Sequence, residues 1–580
     1  MKLARHIPLI GHLRGYTRAD AAGDGVAALV VTLMLIPQSL AYALLAGLPA
    51  QYGLYASILP LAVYGVLGSS RVLSVGPVAV LALMTASALQ PLAAPGSPEY
   101  AGLAMLLAAL VGVISLALGL LRAGFVASLL SHPVVAGFIT GSSLVIILSQ
   151  LKHVLGLRVA DGHFPWQTAA NLLAALPQTH LWTLLAAALA VTLLVLARAP
   201  LRNLLRRTGL RENTALLLSR LAPALVVGLS MLAAGLFGLD SALGLRVVGE
   251  FPAGLPGLAL PALDWGAIGS LLPAALAIGL VGYVESVSVG RTLGARRGQR
   301  IDPNQELAAL GAANLAGAVS GGFPVSGGFS RSVVNHDAGA RTGLASLLAA
   351  GLIALVALLA ARWFAFLPQA VLAATVIVAV STLVDLRELQ RLWRFRRAEG
   401  TLMALTILAV LALGVEWGVA AGVVLSLAAF LARASRPHLA VVGRVAGTEH
   451  FRNVKRHNVQ TWPSLLLVRV DENLFFANAQ FVEDALHAEL ADHPAARHLV
   501  LIASGVNGID ASGLHALGEL RRGLASRGVT LHLAEVKGPV MDALSRAGFE
   551  RELAPGRVFL STHQAVLALQ GDPGRESAAA

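Results

Sequence analysis

The stretch Phe323-Pro324-Val325-Ser326-Gly327-Gly328-Phe329-Ser330-Arg331-Ser332 sets helix breakers, small hydroxyls and a fixed positive charge between long apolar runs. At bilayer depth each of these is costly without a role. Irregular backbone is tolerated there only where protein or a water-filled cavity satisfies its polar groups. An arginine inside a span costs roughly 2.5–3.5 kcal/mol on insertion scales and marks a functional position by default. The stretch reads as the start of a helix inside the membrane. Its free N–H groups, the positive end of its dipole and Arg331 converge on an anion.

Composition fits that setting. Of 580 residues, 56% are hydrophobic and only 13% charged. Apolar runs continue to Arg433, and ordinary globular composition follows. The expected division is a cytoplasmic segment 1–20, a transmembrane domain 21–435, a linker 436–463, an α/β domain 464–570 and a disordered tail 571–580. The net charge of +12 comes mostly from arginines in short loops between apolar runs, which argues for membrane orientation rather than nucleic acid. With no cysteine, disulfides, thiolate metal sites and cysteine nucleophiles are excluded. The histidines are scattered, so no metal or organic cofactor is expected. No nucleophile–base motif points to an enzyme. Met1 to His6 carry no signal-peptide cleavage pattern and read as a retained cytoplasmic segment.

Working outward from Gly327, a second broken segment is Arg71-Val72-Leu73-Ser74-Val75-Gly76-Pro77-Val78. The apolar run after Pro77 ends near Gln90, too short for a full crossing of ~20 residues. It reads as another half-helix, with proline suited to its first turn. Counting both, about fourteen segments cross the bilayer. Arg71, Arg122, the group from Arg198 to Arg211, the group from Arg291 to Arg300 and the group from Arg387 to Arg397 all fall on one side. Lys152, Arg158, Arg246 and Arg362 fall on the other. The asymmetry places both termini in the cytoplasm. Seven segments precede residue 240 and seven follow, each set broken at its third member. An odd number inverts the second set, so the two half-helix N-termini meet near the midplane. Paired interruptions of this kind point to a transporter's binding site.

With these features in view, the chain resembles the sulfate permease (SulP) family of anion transporters over nearly its whole length. The carrying segments are Ile36 to Ala43, Gln51 to Tyr55, Ser74 to Val80, Gly282 to Ser286 and Gly327 to Ser332. After Arg433, alternating strands and helices imply a small α/β layer fold. It is similar to a STAS domain, the sulfate transporter and anti-sigma-factor antagonist module. The resemblance implies an all-α polytopic domain of seven-plus-seven inverted repeats, split into core and gate. It also implies an anion held between the third and tenth segments, elevator-like motion and homodimers. A bacterial inner membrane follows from the resemblance and the Ala/Leu/Arg-rich composition.

Each candidate residue has an alternative. Gly328, Phe329 and Ser330 would present backbone N–H groups, with Val78 answering from the opposed half-helix. Arg331 would supply charge; otherwise it snorkels to the boundary. Glu285, the acidic residue within its span, would take up a coupling proton, or else sodium; a fixed ion pair is the alternative. Gln38 and Tyr42 share a helix face beside Pro37, as substrate ligands or as interhelical glue. Ser39 and Asn314 carry the glue reading more strongly. Asp510 reads as a helix N-cap, and Ala511 stands where anti-sigma antagonists carry a phosphorylated serine. The function expected is secondary active transport of a small inorganic or carboxylate anion (sulfate, bicarbonate or dicarboxylate), proton-coupled. An uncoupled exchanger or channel, a nucleobase permease of the same architecture and a membrane-tethered signalling protein remain open.

Overall fold

The computed structural model describes residues 7–128, 131–159, 162, 164–197, 207, 212–249 and 254–570. Arg198, Arg202, Arg206, Arg211, Met1 to His6 and the expected tail lie outside the described residues. By contact the chain divides into two compact units, Met1–Ser426 and Leu427–Ala580.

The first unit is helical. Helix α1 (Arg18–Leu45) starts at a capping box: the Thr17 hydroxyl accepts from Asp20 N–H, and the Asp20 carboxylate accepts from Thr17 N–H. Helix α2 (Gln51–Leu67) crosses α1, and the Ser39 and Ser57 hydroxyls meet there at 2.7 Å, so Ser39 is the expected glue. A two-residue strand β1 (Val75–Gly76) leads into the short helix α3 (Ala79–Leu89). In the second half, α4 (Trp265–Ala295) and α5 (Pro303–Val319) precede strand β2 (Ser326–Gly327) and the nine-residue helix α6 (Phe329–Asp337). β1 and β2 pair antiparallel, Val75 opposite Gly327 and Gly76 opposite Ser326. That register sends α3 and α6 away in opposite directions with their N-termini together.

Six helices among the described residues are long and apolar enough to cross a membrane, or seven if the bent pair Pro165–Gln178 and Leu181–Leu196 is one span. The remaining expected segments are shorter or broken, including Gln51–Leu67, Ala79–Leu89 and Leu344–Leu359.

Helices α1 to α6, Pro98–Leu120 and Leu344–Leu359 pack as one group; His132–Leu155, Leu181–Leu196, Gln369–Val380 and Arg397–Leu413 pack as another. Helix α1 also touches the second group through Gln369–Val380.

The second unit is a six-stranded sheet in the order β4 (Phe451–Asn453), β3 (Leu439–Arg444), β5 (Leu465–Val470), β6 (His498–Ile502), β7 (Thr530–Ala534), β8 (Val558–Phe559). Strands β5 to β8 are parallel, whereas β3 and β4 run antiparallel. Leu466, Val468 and Val470 face one core, with Leu486 and Leu517; Leu465, Leu467 and Val500 face another, with Ala565 and Val566. Burial on both faces explains why these strands read as unbroken apolar runs. The stretch assigned to a linker, 436–463, instead contributes β3 and β4. Its basic residues misled: Arg452 sits on the edge strand β4, where charge blunts unwanted pairing, and Lys455, Arg456 and His457 follow just after it.

Candidate functional site

The crossed strand pair is held by four side chains from three helices. The Ser286 hydroxyl of α4 accepts Gly327 N–H at 2.8 Å and donates to Gly282 O at 2.6 Å. The Asn314 amide of α5 accepts Val325 N–H at 2.9 Å and donates to Val325 O at 3.0 Å and Leu310 O at 2.9 Å. Ser332 of α6 accepts Ser74 N–H at 3.0 Å, and Asn335 donates to Val72 O at 2.9 Å. Gly328 N–H donates to Ser74 O at 3.2 Å.

With the strands fixed, two helix N-termini point at one place. The first N–H groups of any helix lack intrahelical partners. In this group side chains cap α1, Pro98–Leu120, α4 and α5, through Thr17, Ser97, Asp264 and Asp302, whereas α2 and Leu344–Leu359 start without a side-chain bond from the N-cap residue. The N-termini of α3 and α6 have no side-chain cap. Uncapped, they leave donors and positive dipole ends without partners, which is the chemistry of an anion site; α3 starts from buried residues and α6 from the exposed Phe329 and Ser330. At the other end of α6, Arg297 donates to His336 O at 2.9 Å and to Ala340 O, completing that terminus.

A cavity with about 490 Å³ of empty space lies in front of the two N-termini. Its walls include Gln38, Tyr42, Val78, Glu285, Gly328, Phe329, Ser330 and Arg331. Every candidate ligand from the sequence therefore lines one cavity. Ala379, Val380 and Leu383 of the second helix group close it. Gln38 and Tyr42 have no hydrogen-bond partner among the described residues, so nothing there makes them glue. Phe329 is 45% exposed, whereas Val78 and Tyr42 are buried.

Arg331 does not snorkel; it is 2% exposed. Its guanidinium lies across the strand pair, Nη1 donating to Pro77 O and Nη2 reaching Ser326 O at 3.5 Å. Its Nε–H has no partner among the described residues. Glu285 is within electrostatic reach of this charge, but no ion pair within 4.0 Å joins them among the described residues. Glu285 also lines a second, apolar cavity with Val134, Phe138 and Val419. No group of three metal-ligating side chains occurs among the described residues.

Sequence reasoning missed two fully buried carboxylates. Glu306 accepts from Tyr64 O–H at 2.7 Å, Ser69 N–H at 2.8 Å, Ser69 O–H at 2.7 Å and Ser70 N–H at 3.1 Å, pinning the turn that leads into β1. Asp24 accepts from Arg341 N–H at 2.6 Å, Thr342 N–H at 3.1 Å and Thr342 O–H at 2.6 Å, pinning the turn after α6. Both stand near span ends, where an acid draws no notice. In the second unit Asp510 caps helix Ala511–Ser526 through Gly513 N–H at 2.8 Å, as expected.

Residues 22–406 match the profile of the sulfate permease family, and residues 456–565 match the STAS domain. A probable sulfate transporter of Mycobacterium tuberculosis is 37% identical over 572 residues, covering 98% of this chain and 99% of that protein. The chloroplastic sulfate transporter 4.1 of Arabidopsis thaliana is 34% identical over 554 residues, covering 94% and 79%. The murine Solute Carrier 26 family member A9 anion transporter, solved inward-facing, superposes with a TM-score of 0.88 at 26% identity, covering 98% and 95%.

Proposed function

The chain belongs to the sulfate permease family and is a multi-pass membrane anion transporter, and we propose that it is a secondary active, proton-coupled symporter of an oxyanion of the sulfate, bicarbonate or dicarboxylate class. The observation that carries this is the pair of uncapped N-termini, with a buried arginine, sharing one cavity. Sulfate is the first candidate, because the relatives carry that name. The anion takes N–H groups of Phe329, Ser330 and the Val78 turn, the field of Arg331, and the Gln38 and Tyr42 side chains. Charge-assisted hydrogen bonds to oxygen suit every member of that class.

Glu285 is the coupling residue. Ionised, it offsets Arg331; protonated, it leaves the guanidinium unopposed and tolerates the apolar cavity at its back. Proton and anion then bind together. Sodium is the alternative coupling ion.

Movement is elevator-like. Tight glycine contacts stay within one helix group: a Cβ on Gly311 would lie 2.5 Å from Leu116 N, and one on Gly137 would lie 2.7 Å from Met403 O. Between the groups lie cavities instead, the site among them. Close packing resists shear within a group, whereas a surface broken by cavities slides. The protein works as a homodimer in a bacterial inner membrane, both termini cytoplasmic, as the arginine asymmetry requires.

The test is uptake of labelled sulfate, bicarbonate and dicarboxylate into proteoliposomes under separate proton and sodium gradients. Uptake of at least one anion should accelerate with an inward proton gradient, and Glu285→Gln should abolish that acceleration. No uptake of any of the three would sink the oxyanion assignment. A Glu285→Gln protein that kept its gradient dependence would remove the coupling role alone.

A further inference from the structure

We infer that Asn314, with Ser286 as its partner, is a positioning residue that sets anion affinity from outside the cavity. The inference rests on the anion-carrier reading above. Asn314 is 2% exposed and does not line the cavity. Its amide oxygen and nitrogen engage both the N–H and the C=O of Val325, as a neighbouring strand would. Val325 immediately precedes β2. One residue pair later, Ser286 takes Gly327 N–H, and then Ser74 O takes Gly328 N–H. The N–H groups of Val325, Gly327 and Gly328 are thus occupied, and those of Phe329 and Ser330 follow at the uncapped start of α6.

The direction of those amides follows from the strand that precedes them. A one-residue slip of a strand turns its groups to the opposite face. β2 is only two residues long and cannot hold its own register. Asn314 and Ser286 supply what strand length does not. Two neutral hydrogen bonds to Val325, each taken in the lower part of the usual net range, are together worth about tenfold in an equilibrium. That factor should appear in affinity, because the misdirected amides are the ligands. Asparagine is suited to this task because one side chain both accepts and donates.

The experiment measures labelled sulfate uptake by the full-length protein in proteoliposomes, with thermal melting in parallel. Asn314→Ala should raise the apparent KM about tenfold and change the maximal rate less than twofold. Asn314→Asp keeps the acceptor but loses the donor when ionised. Relative to wild type at each pH, its affinity should recover as pH falls and the carboxyl again donates to Val325 O. A residue that only filled space would show neither the KM shift nor the pH recovery. If Asn314 variants do not fold, Ser286→Ala should raise KM, and Ser286→Thr, which keeps the hydroxyl, should recover it. Unchanged KM in Asn314→Ala, or equal KM in the two Ser286 variants, overturns the inference. Wild-type protein that takes up no sulfate, bicarbonate or dicarboxylate counts against the anion-carrier reading instead.

Discussion

The two half-helices share a backbone plan and differ in chemistry. Each follows a two-residue strand, and each starts uncapped. Helix α3, AVLALMTASAL, carries no charge. Helix α6, FSRSVVNHD, carries Arg331, His336 and Asp337. Support between them runs one way. Ser332, Asn335 and Arg331 reach from α6 to Ser74, Val72 and Pro77 on the approach to α3. The hydrogen-bonding side chain of α3, Thr85, serves only its own helix, at Leu81 O. The inverted repeat thus supplies two dipoles by symmetry, while of the two half-helices only α6 supplies the charge and the side chains that brace the other.

The largest break in that comparison is Arg331→Ala. It removes the charge and the link to Pro77 together. Loss of one member of a buried charged interaction costs several kcal/mol, so uptake at sub-saturating sulfate should fall by about 100-fold or more. Arg331→Lys restores a point charge without the planar fork and should recover only part of the loss. Uptake within a few-fold of wild type in Arg331→Ala would mean that the two dipoles suffice and the asymmetry is idle.

Ser332→Ala is next. It leaves the Ser74 N–H buried without an acceptor, a penalty of about 1–3 kcal/mol. The approach to α3 loosens, and sulfate affinity should fall about tenfold. Thr85→Ala, the counterpart on α3, should change affinity less than twofold. Equal effects from both would show that bracing runs in both directions.

The same contrast explains what the sequence displayed. Glycine, proline and arginine in an apolar context are rare enough to stand out, so Gly327, Gly328, Arg331, Gly76 and Pro77 marked the site directly. Glu285, Gln38 and Tyr42 stood out as polar groups inside spans. The braces did not. Ser286, Ser332 and Asn335 are small polar residues whose meaning lies in partners tens to hundreds of positions away. Asn314 was visible as an amide within the Gly/Ala-rich part of α5, but its partner is a backbone segment eleven residues on, not another helix. Glu306 and Asp24 were hidden at span ends for the same reason. Strands β3 and β4 were missed because the charge on edge strand β4 and in the stretch after it resembles linker charge.

The finest test separates the two glycines that face the guanidinium. A Cβ on Gly328 would lie 2.9 Å from Arg331 Nη2 and 3.1 Å from Cζ and Nε. A Cβ on Gly76 would lie 3.5 Å from Nη2, an ordinary contact. Arginine is flexible in general, but this one is buried and tied to Pro77 O. Gly328→Ala must therefore displace the charge rather than the backbone. Its protein should melt near the wild-type temperature while sulfate KM rises about fivefold, one hydrogen bond's worth at ~1 kcal/mol. Gly76→Ala should leave KM within twofold. Substitutions with equal effects would place the guanidinium evenly between the strands, and the first half-helix would then share the charge that the second owns by sequence.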